Sequence, residues 1–418
     1  METTSQITGR VRRRRVFYIP GYDPIHPRRY RELYRKESAA QGRLSGYEIA
    51  IAPASGARYG WTVAAGIDGE PVDARIEVLV WSDIVRASMA SGILATYAQL
   101  AQTAWTYIAS GALRRLMWLR KGPVIAALYP VGMLLLQLAV AVVLGALAGW
   151  AVGALIGAAA AGGAAAWLGG AVAAVAIVWA VLRWFRRKDG RFFAYYLMHD
   201  YAFAARWGGA NPPALEARMA EFADAIAEAL RSECDEVLVV GHSSGAHLGA
   251  SVLADLIRQG RVPAGGPVLS FLSLGQVIPM MSFLPKADRL RADLHLLAGT
   301  NRLFWLDVTA PGDGCAFALC DPVAVSGVAP PDARGPLVVS AAFTQTLRPE
   351  TWAALRWRFF RLHFQYLCAF DNLPDRPDAY DYFRVTAGPR TLSARFRARA
   401  RSASRIDRPA SCHVTMAA

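Results

Sequence analysis

The segment of this chain best equipped for chemistry is Gly241-His242-Ser243-Ser244-Gly245. A serine hydroxyl attacks a carbonyl carbon once a base takes its proton, and it must stand clear of its neighbours to do so. Glycines two positions to either side of Ser243 permit a turn too tight for side chains, which pushes Oγ outward. The base is normally an imidazole held by a carboxylate. Where such a turn joins a strand to a helix, the three groups can follow in the order Ser, Asp or Glu, His. The sequence after Ser243 offers that order.

Besides the near neighbour His247, three histidines follow Ser243. His413 falls in an Arg-rich tail expected to be mobile. His295 stands in an apolar run that reads as a strand and suits a buried histidine. His363, in Arg361-Leu362-His363-Phe364-Gln365-Tyr366, follows a helix and is the choice for the base; the plain alternative is a surface histidine on an aromatic helix. For the acid, Trp305 to Gly314 holds Asp307 inside a strand and Asp313 in the loop beyond Pro311 and Gly312. The acid is needed at the carboxyl edge of the sheet, so Asp313 is favoured over Asp307, with Asp321 an outsider.

The oxyanion formed during attack needs two N–H donors, each worth about 2.7–4 kcal/mol. Ser244 N–H, directly after the nucleophile, is one. The second is expected from a loop after an early strand, and Pro20-Gly21-Tyr22 fits, with Tyr22 N–H as donor. His242 reads as a neighbour that shapes the pocket, and His247 as packing in the first turn of a helix. Neither has a partner at helical metal spacing, so no metal and no cofactor are expected.

These side chains need a frame. Residues 236–240 form a β-branched apolar run that reads as a buried strand, and 246–257 read as a helix. Upstream, 16–19 is a short strand ending in the turn Pro20-Gly21-Tyr22-Asp23-Pro24. A helix over 27–41, strands over 47–52, 61–67 and 76–81, and a helical stretch over 84–119 follow. Downstream come helices over 191–207 and 213–231, strands over 267–274, 294–297 and 304–308, and a helix over 349–363. Strands alternating with helices imply an α/β fold, a mainly parallel sheet with helices on both faces.

The chain is 54% hydrophobic, and the excess sits in one place: no charged residue stands between Lys121 and Arg183. That tract is long enough for two helices across a hydrocarbon layer of about 30 Å. They are expected over 123–148 and 159–182, with the turn among Trp150, Gly153 and Gly157. Both flanks are basic (Arg114, Arg115, Arg120, Lys121; Arg183, Arg186, Arg187, Lys188). The positive-inside rule puts both flanks, both termini and the rest of the chain on the cytoplasmic side of an inner or plasma membrane. Gly145, Gly153, Gly157 and Gly169 permit close helix packing, within a chain or between chains.

The net charge of +14 lies largely in the juxtamembrane clusters, in Arg12 to Arg15 and in the tail from Arg390 to Arg408. Such clusters suit anionic lipid headgroups. No nucleic-acid motif accompanies them, so membrane lipid is the expected partner and nucleic acid is not. The five scattered cysteines form no C-x-x-C pair and read as free thiols in a reducing compartment. The expected organisation is a disordered basic segment 1–15, a first domain part 16–120, the hairpin 121–183, a second part 184–390 carrying Ser243, and a mobile basic tail 391–418.

Taken together, Ile19-Pro20-Gly21-Tyr22, Gly241-His242-Ser243-Ser244-Gly245, the Trp305 to Asp313 segment and His363 resemble the α/β-hydrolase superfamily of serine hydrolases, most of all its lipase- and esterase-type members. The resemblance implies a hydrolase fold over most of 16–110 and 190–390, with Ser243 as nucleophile, Asp313 as acid and His363 as base. It departs from the family in carrying Pro20-Gly21 where His-Gly is usual, and in the inserted hairpin. The expectation is a membrane-anchored hydrolase of a lipid or other membrane-partitioned carboxylic ester; amides and thioesters use the same machinery. The alternative is a catalytically silent, membrane-tethered binding or scaffold protein. A channel is disfavoured, because the two helices have no charged residue to line a path. Acyl-chain length and oligomeric state stay open.

Overall fold

A computed structural model of the chain describes residues 9–56, 58–159 and 163–417. The described residues form two compact units. One draws on the chain up to Ala87, on Ile108–Pro123 and on the chain from Trp207; the other on Ser88–Tyr107 and Val124–Arg206.

The first unit is α/β, built on an eight-stranded, mostly parallel sheet. Its strands are β1 (Arg13–Ile19), β2 (Glu48–Pro53), β3 (Gly60–Ile67), β4 (Glu70–Val78), β5 (Glu236–His242), β6 (Val268–Leu274), β7 (Phe304–Thr309) and β8 (Leu337–Ser340). They lie in the order β2-β3-β4-β1-β5-β6-β7-β8. The β2–β3 and β3–β4 pairs are antiparallel, and every other pair is parallel. The chain leaves β1 toward β2–β4 on one side and leaves β5 toward β6–β8 on the other. A crevice at such a reversal, outside the carboxyl ends of the strands, is where open α/β sheets bind ligands. Here it lies beyond Ile19 and His242, whose strands pair with Ile19 opposite Gly241.

Burial explains the strand sequences. Val237, Leu238, Val239 and Val240 are all fully buried, as expected of a central strand covered on both faces. At the amino end of the same strands, Arg14 Nε donates to Glu236 Oε2 at 2.7 Å with both side chains fully buried. Arg14 also reaches the Gly388 and Arg390 carbonyls, while Glu236 Oε1 accepts from Ser270 Oγ and Leu392 N–H.

Several expectations change. Residues 1–8 of the segment expected to be disordered lie outside the described residues; within 9–15, β1 begins at Arg13 because Arg14 has a buried partner. The run 294–297 is not a strand. It belongs to the Asp288–Gly299 helix, where Leu290, Leu294 and Leu297 recur at helical spacing and are buried. The stretch 84–119 is broken into helices Ser82–Met89, Ile93–Ala109 and Ala112–Leu116, with Gly111 at φ 73° between the last two. The helix over 349–363 divides into Pro349–Leu355 and Phe359–His363. The four-residue β8 was not foreseen. Nor is the tail from 391 loose. Leu392 and Phe396 are buried, Asp321 N–H and Ile406 N–H donate to the Ile406 and Leu319 carbonyls, and Arg291 Nε donates to Thr415 O.

The second unit holds two helices long and apolar enough to cross a membrane, Lys121–Ala158 (its first residues belonging to the first unit) and Gly163–Arg187. The first runs through Trp150, Gly153 and Gly157, so the expected turn is misplaced. At 38 residues the first helix is about 57 Å long, nearly twice a hydrocarbon layer. Its early part is clad by protein: Leu134 packs with Leu100, Ala194 and Met198, and Tyr97 Oη donates to the Leu134 carbonyl at 3.0 Å. Farther along, Leu135, Leu136, Val143, Leu147 and Trp150 are exposed.

The helices meet through small residues. A Cβ on Gly149 would lie 2.7 Å from Gly170 O, and one on Gly145 2.8 Å from Ala174 O. Gly145, Gly149 and Gly153 thus form a groove at four-residue spacing within one chain. Gly149→Leu is expected to destabilise the hairpin by about 1–3 kcal/mol, the usual cost of overpacking. Gly132→Leu, with nothing within 4 Å, should leave it unchanged. Thermal unfolding in detergent checks both.

Candidate active site

The turn after β5 has the geometry its glycines require. Ser243 has φ 57°, a left-handed conformation that costs a side-chain-bearing residue roughly 1–2 kcal/mol. It is held there by close packing. A Cβ on Gly241 would meet Gly245 O at 2.6 Å, and one on Gly245 would meet Ile19 O at 2.1 Å. Ser243 N–H donates to Leu274 O at 2.9 Å. Ser244 is the N-cap of the Gly245–Arg258 helix, so its N–H has no carbonyl to meet within the helix.

The loop after β1 lies against this serine. A Cβ on Gly21 would stand 2.9 Å from Ser243 Cβ and 3.4 Å from its Oγ. Trp81 Nε1 donates to Pro20 O at 2.9 Å, which fixes the peptide leading into Gly21. Tyr22 is buried, its ring edge-on to that of Trp81.

Asp313 and His363 are brought together. His363 Nδ1 lies 2.7 Å from Asp313 Oδ2, with both residues buried. In the neutral ring Nδ1–H donates to the carboxylate, which leaves Nε2 with the lone pair a base needs. The carboxylate is itself held in place: Tyr366 Oη donates to Oδ2 at 3.0 Å, and Cys315 N–H donates to Oδ1 at 2.9 Å. Burial and the Asp313 charge push the Tyr366 hydroxyl well above its usual range, so it stays a donor. Tyr366 received no role from the sequence, although it stands three residues after His363. Its signal is tertiary, since it also takes the Ala310 N–H at 3.0 Å.

His363 reaches the serine side through two neighbours. Its ring lies 4.9 Å from that of His242, and its Cε1 would be 3.0 Å from a Cβ on Gly275, the residue after the Leu274 acceptor. Among the described residues Ser243 Oγ makes no hydrogen bond to the ring. His242 does more than line a pocket: its Nε2–H donates to the His363 carbonyl at 3.0 Å, and Tyr18 Oη sits 3.3 Å from Nδ1. Burial, aided by the nearby His363 ring, pulls the His242 pKa down to about 3, so it stays neutral. His247 is likewise neutral, lowered to about 4 by burial.

The remaining candidates lie elsewhere. Asp321 caps the Pro322–Val325 helix through the Val323 and Ala324 N–H groups. His295 Nδ1 contacts Val328 O at 2.8 Å, and His413 Nε2 contacts Ser110 O at 3.2 Å. Asp307 is fully buried within β7, accepts Ser273 Oγ–H at 2.6 Å, and is pushed up to about 8 by burial. The native state therefore keeps a proton that the unfolded chain releases near pH 4. Asp307's contribution to stability is fully present below pH 4 and is lost as pH rises toward 8, at about 1.4 kcal/mol per pH unit. Asp307→Asn is expected to flatten this slope and to raise stability near neutral pH. Denaturant unfolding across the range checks it, and an unchanged slope contradicts it.

Asp313, Cys315 and His363 offer a carboxylate oxygen, a thiol and a ring nitrogen within 4.8 Å of one another, a cluster the sequence did not suggest. Two ligands of a tetrahedral zinc at about 2.0 Å lie about 3.3 Å apart. The 2.7 Å contact is shorter than that and fits a hydrogen bond. Comparison of the chain with protein-family models, with curated proteins and with solved structures finds no match to any of them.

Proposed function

We propose that the protein is a membrane-anchored serine hydrolase of the α/β-hydrolase type, lipase- or esterase-like, cleaving a carboxylic ester. The observation that carries this is a left-handed Ser243 at the carboxyl edge of the sheet together with a buried Asp313–His363 pair whose ring lies 4.9 Å from that of His242, the residue before the serine. In this reading His363 Nε2 takes the Ser243 proton as Oγ attacks the carbonyl carbon. Ser244 N–H and Tyr22 N–H receive the oxyanion, and His363 returns the proton to the leaving alcohol. Water, deprotonated by the same ring, then releases the acid and restores Ser243. Asp313 holds the tautomer and stabilises the charged ring.

The two apolar helices and their basic flanks support an inner- or plasma-membrane anchor with the sheet on the cytoplasmic side. Anchoring favours a lipid or membrane-partitioned ester. A second reading, a silent membrane-tethered binding protein, draws on the open Ser243–His363 contact. Turnover of a chromogenic ester decides between them. The hydrolase should show a burst of alcohol followed by steady turnover, both absent in Ser243→Ala. Equal rates in the two proteins favour the binding protein.

A further inference from the structure

Two exposed segments of the first unit converge on the loop that carries Asp313. The first is Arg356-Trp357-Arg358-Phe359-Phe360-Arg361, just before His363; Trp357 is 73% exposed and Phe359 51%. The Arg356 guanidinium lies over the Trp357 ring at 5.6 Å. The second is Met117-Trp118-Leu119-Arg120-Lys121, where Trp118 is 58% exposed and the Arg115 guanidinium lies 4.5 Å from its ring. Both meet at Gly314. A Cβ on Gly122 would be 3.2 Å from Gly314 Cα, and one on Gly314 would be 3.4 Å from the Phe359 ring. Arg120 Nε ties the same region down by donating to Ala318 O at 2.8 Å.

The composition is that of a bilayer interface. Trp and Phe interleave with Arg, and neither 108–123 nor 351–363 contains an acidic residue. Tryptophan settles at headgroup depth, and each Lys or Arg near an anionic surface adds to the attraction. Continuity points the same way. The apolar Lys121–Ala158 helix starts at the second segment, so its first residues and the Asp313 loop are in contact in one unit.

We propose that this aromatic and basic rim docks on an anionic lipid bilayer and that the ester enters the Ser243 site from the membrane. Substrate entry rests on the hydrolase reading; docking does not. The test uses the full chain in phosphatidylcholine vesicles with and without phosphatidylglycerol. Benzoylphenylalanine replaces Trp357 or Phe359, or, as a control, Gln259, exposed after the Gly245–Arg258 helix at the opposite edge of the sheet. Light should yield lipid adducts at 357 and 359, more with the anionic lipid, and none at 259. In parallel, Trp357→Ala/Arg358→Gln should lower turnover of a bilayer-embedded long-chain ester at least about tenfold while sparing a water-soluble short-chain ester. Absence of adducts at both positions overturns the docking surface, whatever the activity. Equal loss on both esters, or loss on neither, overturns entry from the membrane. Adducts on a protein that cleaves neither ester support the surface and overturn the hydrolase reading.

Discussion

Asp313→Asn is expected to lower kcat about 10,000-fold, the effect of losing the tautomer-setting carboxylate in a Ser-His-Asp site. The reason is geometric. Asp313 Oδ2 faces His363 Nδ1 at 2.7 Å and accepts its proton-bearing side. An asparagine whose carbonyl oxygen is kept at the Oδ1 position by the Cys315 N–H presents its NH2 to the ring instead, so the ring turns to the tautomer whose Nε2 carries hydrogen. That nitrogen can no longer take the Ser243 proton. Fold and membrane insertion should persist, and circular dichroism separates this outcome from unfolding. Tyr366→Phe removes one of the carboxylate's donors and should lower the rate in the same direction by far less. Steady-state rates on a soluble ester give the result; a kcat within tenfold of wild type for Asp313→Asn contradicts the role.

Glu236→Ala is expected to destabilise the first unit by about 3–5 kcal/mol, the cost of leaving one partner of a buried ion pair unpaired. Arg14 would keep its charge at 1% exposure, and the Leu392 N–H and Ser270 hydroxyl would lose their acceptor. The damage reaches beyond β1 and β5, because the segment after Gly388 is tied to them through the same two side chains. Arg14→Met/Glu236→Leu, which removes both charges and fills the space, should recover most of the loss. Denaturant unfolding in detergent reads the difference. A loss below about 1 kcal/mol would place this pair among the exposed, weak ones.

What could be read from the residues alone was what local patterning encodes. The β5 run, the glycines around Ser243 and the following helix carry their own signals, and each is found where spacing put it. Asp313 was preferred to Asp307 because a strand residue points into a covered layer whereas a loop residue lies at the sheet edge. The structure has Asp307 fully buried in β7 with the Ser273 hydroxyl on its carboxylate, and Asp313 against His363. The order of the strands was not legible, since nothing local in β1 says that it lies between β4 and β5. The same holds for His242 and Tyr366, whose roles depend on contacts across long stretches of sequence. Composition misled twice. The Arg-rich tail reads as solvated, yet Phe396 and Leu392 anchor it against the sheet. The run Leu294-His295-Leu296-Leu297 reads as a strand until its longer helical period is counted. In the hairpin, Gly153 and Gly157 suggested a turn. The helix runs through both, and Gly153 lies in the groove that faces the second helix.

The most direct test of an activated Ser243 is reaction of the detergent-solubilised protein with a fluorophosphonate, followed by peptide mass mapping. The expected result is one adduct, on Ser243, absent in Ser243→Ala and formed much more slowly in His363→Ala and Asp313→Asn. No adduct on the wild type, or equal labelling of wild type and Ser243→Ala, would contradict the hydrolase reading at this site.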